Sequence, residues 1–166
     1  NKDMKAINLA VLTAEEAARQ LLRWVLVHHT NQGRLTGRIV ETEAYNQDDP
    51  ASHTYHGPTK RNQPMFQAGG AIYIYFTYGM HYCMNIVAGP AGRGEAVLIR
   101  AVEPLEGVSQ MRVNRHNRPD KELTNGPAKV VQALGIPPTL NGSRLGTELT
   151  LEQGPLPASI VVTTRI

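Results

Sequence analysis

The chain is sparing with residue types whose scarcity narrows the field. A single cysteine among 166 residues, Cys83, excludes an internal disulfide and fits a reducing compartment. With no base or partner near it in sequence, Cys83 reads as a small buried apolar residue. No stretch is long and apolar enough to cross a bilayer, and the opening NKDMKAINLAVL lacks the arrangement of a signal peptide. CxxC, HExxH, GxxxxGK[ST] and GxGxxG are all missing, which removes the usual zinc, phosphate-loop and dinucleotide signatures. Ser52, Ser109, Ser143 and Ser159 sit in no strand–turn–helix elbow, so a nucleophilic serine is not expected. There is no repeat, low-complexity tract or internal boundary, so residues 1–166 are expected to form one domain. Apolar content of 41% and charged content of 19% are ordinary for a soluble globular protein.

What is present is unevenly distributed. The net charge is +3, with Glu41, Glu43, Asp48 and Asp49 early and Arg112, Arg115, Arg118 and Lys121 recurring later. Charge alone reads the later run as a solvated surface; phosphate contact is the sharper reading. Aromatic residues are only 5% of the chain, yet most fall between Tyr45 and Tyr82. That concentration weakens the solvated-surface reading.

Apolar spacing predicts a helix over 12–24, with Thr13 as N-cap and Glu15 and Glu16 in its first turn. A strand over 26–29 and a turn at 31–33 lead into a strand over 35–45. Residues 46–70 are polar and rich in Pro, Gly, Asn and His, a long loop of the kind that carries function or moves. Strands over 71–78 and 81–87 flank Gly79-Met80 as a hairpin, and a strand over 96–103 follows. Helices are expected over 107–118 and 126–134, the second opening on Gly-Pro. Short strands and turns complete the chain.

Two segments carry chemistry. In GRIVETEAY (37–45) strict alternation puts Arg38, Val40, Thr42 and Ala44 on one face and Ile39, Glu41, Glu43 and Tyr45 on the other. Ile39 and Tyr45 favour burial, so one of the two glutamates is drawn toward a cleft. A carboxylate beside an aromatic ring in a concave site suits a general base. In the hairpin, Tyr73, Tyr75 and Phe76 can be plain core. Tyr78, beside a glycine at the tip, is either folded back on its hairpin or exposed as a wedge between stacked bases. His53 and His56 near Asp48, Asp49 and Glu43 form only a weak metal pattern, so no metal and no cofactor are expected. His28 and His29 read as surface or rim residues.

Longer stretches carry a resemblance. ETEAY (41–45), ASH (51–53), RNQPMF (61–66), YIYFTYGMHYCMN (73–85), AVLIRAVEPLEG (96–107) and LTNGPAKVVQALGI (123–136) resemble, in order, the bacterial form of the alkyladenine (3-methyladenine) DNA glycosylase family. The resemblance implies a mixed α/β (α+β) single domain with a mainly antiparallel curved sheet, flanking helices and a protruding hairpin that intercalates into DNA. It implies a monofunctional enzyme of base excision repair that flips 3-methyladenine, 7-methylguanine or hypoxanthine from duplex DNA and hydrolyses the glycosidic bond. Glu43 would be the general base and Arg100 a basic neighbour of the catalytic water. Tyr45, His53 and Tyr75 would sandwich the base, and Asn85 would disfavour the amine of guanine. Tyr78 would be the wedge, and Met80, Arg61 and Lys129 would contact DNA.

Double-stranded DNA containing damaged purines is thus the expected partner of a monomer in the bacterial cytoplasm, at the nucleoid. A non-catalytic damaged-DNA binding module on the same scaffold is the alternative. A formyltransferase-like RNA or nucleotide domain is a third reading, resting on fold analogy alone. The family's Pro-Gly before the hairpin is Gly69-Gly70 here, which is expected to loosen that junction. The family's usual C-terminal segment is expected to be lacking.

Overall fold

The computed structural model describes residues 7–77 and 79–154, and the backbone alone of 163–165. The fold is a single α+β domain built on a curved sheet. Its strands are β1 (Trp24–Thr30), β2 (Gly33–Tyr45), β3 (Ile72–Thr77), β4 (His81–Ala88), β5 (Glu95–Glu106), β6 (Leu149–Gln153) and β7 (Thr163–Arg165). The order β3-β4-β5-β2-β1-β6 is antiparallel throughout. β7 joins β2 in parallel alongside Glu41–Glu43, where the pairing of β1 with β2 has ended.

One face of the sheet is covered by α1 (Ala14–Leu21) and α3 (Pro127–Ala133), with α2 (Val108–Asn114) against α3. α1 begins with the expected N-cap, Thr13, which the structure completes as a capping box: the Glu16 N–H donates to Thr13 Oγ1, and the Thr13 N–H donates to Glu16 Oε1. A second carboxylate, the buried Glu95, accepts from the Ala14 N–H at 2.9 Å and ties the helix to β5. Ala14, Ala17 and Ala18 are small enough for the helix to lie close to the sheet, and Thr42 Oγ1 donates to the Ala18 carbonyl at 2.9 Å. Leu21 is fully buried there, worth roughly 1.5–3 kcal/mol. The helix is shorter than expected. Arg23 adopts a left-handed φ of 76° and donates its N–H to the Ile39 carbonyl, so Trp24 enters β1.

The alternation expected for 37–45 fails at one point. Ile39 is fully buried in the helix-side core with Ala44, five residues further along, which perfect alternation forbids. Register explains it. Ile39 pairs with Val102 and Glu41 with Ala101, leaving Val40 as an extra residue in β2; Glu41 pairs with Ala101 and Thr42 with Ile99, leaving Arg100 as an extra residue in β5. The two bulges change the phase of both strands and restore the register between them. Ile39, Thr42 and Ala44 face the helices, while Glu41, Glu43 and Tyr45 face the other side.

That other side is covered by residues 46–70, which are tightly organised. Asn62 Nδ2 donates to the carbonyls of His53 and Gly57, and its Oδ1 accepts from the Thr59 N–H at 2.6 Å. Thr54 Oγ1 donates to the Gly94 carbonyl. A short 3-10 turn, Gln63–Phe66, buries Met65 against the sheet.

Two further expectations are corrected and one holds in part. His28 is buried, not a rim residue: Nδ1 lies 2.6 Å from the Leu134 carbonyl and Nε2 2.8 Å from Glu148. In the later basic run Arg112, Arg118 and Lys121 are exposed, as the solvated-surface reading has it, with Arg112 paired to Asp120 and Arg118 to Glu122; Arg115 departs from it, buried against the Leu123 and Glu122 carbonyls. The Gly69-Gly70 junction is held rather than loosened: Gly69 N–H donates to Gly89 O, Gly70 N–H to Val87 O, and Arg144 Nη2 to Gly69 O. A Cβ on Gly69 would stand 2.4 Å from the backbone of Leu9. Gly69→Ala is therefore expected to destabilise the protein by about 1–3 kcal/mol, measured by chemical denaturation. Unchanged stability would mean that Leu9 yields freely.

Candidate active site

Cross-strand register assembles the site in rows. Tyr73 pairs with Asn85, Asn85 with Leu98 and Leu98 with Glu43, so one row crosses four strands. The row beside it runs from Val87 to Ala96 to Tyr45, and the next begins with Tyr75 opposite Cys83. With adjacent strands about 4.8 Å apart, Glu43 and Asn85 stand on the order of 10 Å from one another. The helix-side residues between these rows, Ile74, Met84, Ile86, Val97 and Ile99, belong to the hydrophobic core. The other face combines the polar site residues with a second, smaller cluster of Met65, Ala71, Val87 and Ala96.

Arg100, freed from pairing by its bulge, reaches both glutamates. Its Nη1 donates to Glu43 Oε1 at 2.7 Å and its Nε to Glu41 Oε1 at 3.3 Å. All three side chains are about a quarter exposed, so this is neither a dry interior pair nor a fully hydrated one. Tyr45 lies on the same face, next along the strand from Glu43. Burial, and then the neighbouring Glu43 carboxylate, push its phenol up to about 12.

Tyr45, Ala51, His53, Met65, Tyr73, Tyr75 and Asn85 enclose a cavity of about 30 Å³. That volume suits one or two waters. His53 makes one wall: its ring lies 4.4 Å from that of Tyr75, and Nδ1 is 3.0 Å from the Tyr73 hydroxyl. Burial first, and the charge of Arg61 second, lower the His53 pKa and favour the neutral imidazole. Burial likewise raises the Tyr75 phenol, with Cys83 and Tyr45 adding to the effect. Asn85 is only 3% exposed, and its Nδ2 has no hydrogen-bond partner. A buried amide donor left unpaired beside a cavity is costly, about 1–3 kcal/mol, unless something enters to accept from it.

Outside this wall a larger groove of about 790 Å³ runs along the hairpin, lined by His53, Arg61, Tyr75, Phe76, Thr77, Gly79 and Met80. Met80 has a left-handed φ of 64° and is 82% exposed, an apolar side chain held out at the turn. Arg61 is exposed and donates from Nη2 to the Phe76 carbonyl at 3.1 Å.

The structure therefore gathers Glu43, Arg100, Tyr45, His53, Tyr75 and Asn85 on one face, with Arg61 and Met80 beside the adjoining groove. Lys129 is not gathered: it lies on α3, across the sheet, with Nζ donating to Asn125 Oδ1. Tyr78 lies outside the described residues. The sequence reading overlooked Asn62, which fixes the His53 backbone, and Met65 and Ala51, which close the cavity. Asn62 and Met65 sit inside the RNQPMF stretch, whose length was the only available signal. Cys83 is buried as expected.

Comparison with known proteins identifies the family. Residues 9–166 match the family model described as Methylpurine-DNA glycosylase. A protein of Carboxydothermus hydrogenoformans is 52% identical over 153 residues, which span 90% of this chain and 80% of the relative. One of Francisella tularensis subsp. tularensis is 51% identical over 130 residues, or 78% and 67% of the two chains. One of Methanoculleus marisnigri is 44% identical over 161 residues, or 90% and 80%. All three bear the name "Putative 3-methyladenine DNA glycosylase". The protein is a DNA glycosylase, of the class that serves DNA repair. Within that class, the chain belongs to the methylpurine-DNA glycosylase family.

The lowered His53 pKa gives a signed prediction. Between that value and the ordinary 6.5, the unfolded chain binds more protons at this site than the native one, so its contribution to stability rises with pH through the window and falls as pH drops through it. An NMR titration should place the His53 midpoint below 6.5, and His53→Asn should flatten the pH dependence of unfolding there. A midpoint at or above 6.5 would contradict the burial argument.

Proposed function

We propose that this glycosylase is monofunctional and monomeric, acts in the bacterial cytoplasm, and flips alkylated or deaminated purines from duplex DNA, among them 3-methyladenine, 7-methylguanine and hypoxanthine. The observation that carries the reading is the Glu43 carboxylate, oriented by Arg100, on the same sheet face as a cavity walled by Tyr45, His53 and Tyr75. Glu43 accepts a proton from a water as its oxygen bonds to the sugar C1′. The C1′–N bond breaks, and its electron pair leaves with the base. An alkylpurine that began as a cation departs neutral, so it needs no further proton. A neutral base such as hypoxanthine leaves as an anion unless it is protonated.

Selectivity has two physical sources. Flipping costs a few kcal/mol, least for a lesion that pairs or stacks poorly. A cationic purine between the faces of neutral Tyr45 and Tyr75 gains a cation–π attraction that ordinary bases lack. His53 kept neutral adds no repulsion. The cavity of about 30 Å³ lies far below the roughly 300 Å³ or more typical of ligand pockets, so admission of a purine requires the His53–Tyr75 wall to shift. Asn85 Nδ2 then meets an acceptor on the base edge, a contact that an amine in the same place would spoil. Arg61, Met80 and Tyr78 hold the duplex. No lysine stands in ETEAY, so the reaction ends at hydrolysis without strand cleavage.

Glu43→Gln keeps the shape of the site and removes the base. It should retain affinity for lesion duplex while single-turnover base release falls by roughly 10²–10⁴-fold. Normal release by this variant would falsify the mechanism.

A further inference from the structure

Arg100 faces two carboxylates and holds each by a single bond. Its bulge leaves it opposite the gap between Glu41, which pairs with Ala101, and Thr42, which pairs with Ile99. Among the described residues it gives Glu43 one hydrogen bond, Nη1 to Oε1 at 2.7 Å, and Glu41 one, Nε to Oε1 at 3.3 Å. A guanidinium beside a carboxylate frequently takes it in a two-pronged fork, with parallel N–H groups on both oxygens. That fork is not closed at Glu43, where only Oε1 is taken. Proton abstraction from water employs Glu43 alone, yet Glu41 is drawn from solvent to the same degree, with 26% of its side chain exposed against 23% for Glu43. An ion pair with that much access to water adds little to stability, so stability alone gives no strong reason for the second carboxylate.

We propose that Glu41 is a positioning residue: by anchoring Arg100 through Nε, it keeps the guanidinium from closing its fork over Glu43 and leaves Glu43 Oε2 open to the attacking water. The inference rests on the glycosylase reading above, in which Glu43 takes the water's proton. Oε1 already accepts a short, charge-assisted bond from Nη1, so Oε2 is the oxygen outside the grip of Arg100. A second N–H on Oε2 would occupy the lone pairs that must receive the proton and would stand where the water approaches. The anchor falls on an effective atom. The guanidinium is planar and rigid, and Nε is its point of attachment to the side chain, so a bond there fixes the direction of every other donor. Glu41 and Glu43 lie two residues apart on one strand and share a face, which lets them hold the arginine from two sides. On this account Glu41 acts through its acceptor oxygen. A neutral acceptor of the same shape would hold Arg100 as well, whereas an apolar side chain would release it to Glu43.

The test is single-turnover base release by the full chain from a duplex carrying one 7-methylguanine. Varying the enzyme concentration reads the maximal rate and the half-saturating concentration separately. Glu41→Ala and Glu41→Leu should lower the maximal rate roughly 10–100-fold, the effect of misplacing a catalytic group by about an ångström, with half-saturation little changed. Glu41→Gln keeps the acceptor oxygen without the charge and should release base within about twofold of the parent rate. In an Arg100→Met background, Glu41→Ala should have no further effect, because the group through which Glu41 acts is gone. Leucine fills the space that alanine empties, and thermal melting of each variant reports whether the fold is kept. A parental maximal rate in Glu41→Ala and Glu41→Leu overturns the proposal. So does a loss in Glu41→Gln as large as in Glu41→Ala, which assigns the effect to charge, or an undiminished loss in the Arg100→Met background, which assigns it to packing. Melting of both apolar variants below the assay temperature makes Glu41 a residue of the fold and overturns it too. The glycosylase reading stands in all these cases; it falls, and the positioning role with it, if the parent releases no base from the lesion duplex.

Discussion

Two complementary bulges, at Val40 in β2 and Arg100 in β5, are the constraint on which the rest depends. These strands lie at the centre of a sheet covered on both faces, by helices on one and by residues 46–70 on the other. A regular strand would present one set of side chains to each face along its whole length. With Val40 inserted, Ile39, Thr42 and Ala44 all reach the helices, and Glu41, Glu43 and Tyr45 all reach the site. The residue left unpaired on the opposite strand is the arginine that holds both carboxylates. The irregularity that packs α1 therefore also brings Glu43 and Arg100 together, since a strand cannot shift phase on one face alone.

The same sheet sets the electrostatics. Carboxylates only a quarter exposed must be compensated, and Arg100 does this from within the sheet, without a mobile surface partner. Around them the covering loop removes water from Tyr45, His53 and Tyr75, and burial keeps these three rings neutral. Two carboxylates sharing one guanidinium thus stand on the same sheet face as a set of neutral aromatic rings. Asn62 is central to this arrangement although it touches no reacting atom. By accepting from Thr59 and donating to His53 and Gly57, it converts a polar loop into a lid of fixed shape.

Much of the architecture was legible along the chain because it depends on neighbours in sequence. The N-cap at Thr13, the Gly-Pro start of α3 and the hairpin around Gly79-Met80 are local signals, and each appears where spacing placed it. The ordered motifs from ETEAY to NGPAK named the family, and the family comparison agrees. Legibility failed where distant residues decide. His28 alternates like a rim residue, yet Leu134 and Glu148 arrive from far along the chain to bury it. Arg115 sits in a run that reads from charge as solvated surface, yet it alone is buried, its guanidinium donating to the Glu122 and Leu123 carbonyls and to Gln132, seventeen residues away.

The sequence by itself determined most element types and the family, because propensity, capping and ordered motifs are written in adjacent positions. Tertiary structure alone decided which face each site residue occupies. Glu43, Leu98, Asn85 and Tyr73 become neighbours only through strand register, and a shift of one residue reverses every side chain beyond it. Val40 and Arg100 give no local sign of being the residues where that shift occurs. Their bulges arise from fitting two twisted, doubly covered strands to the helices above and the loop below, a balance that no window of sequence contains.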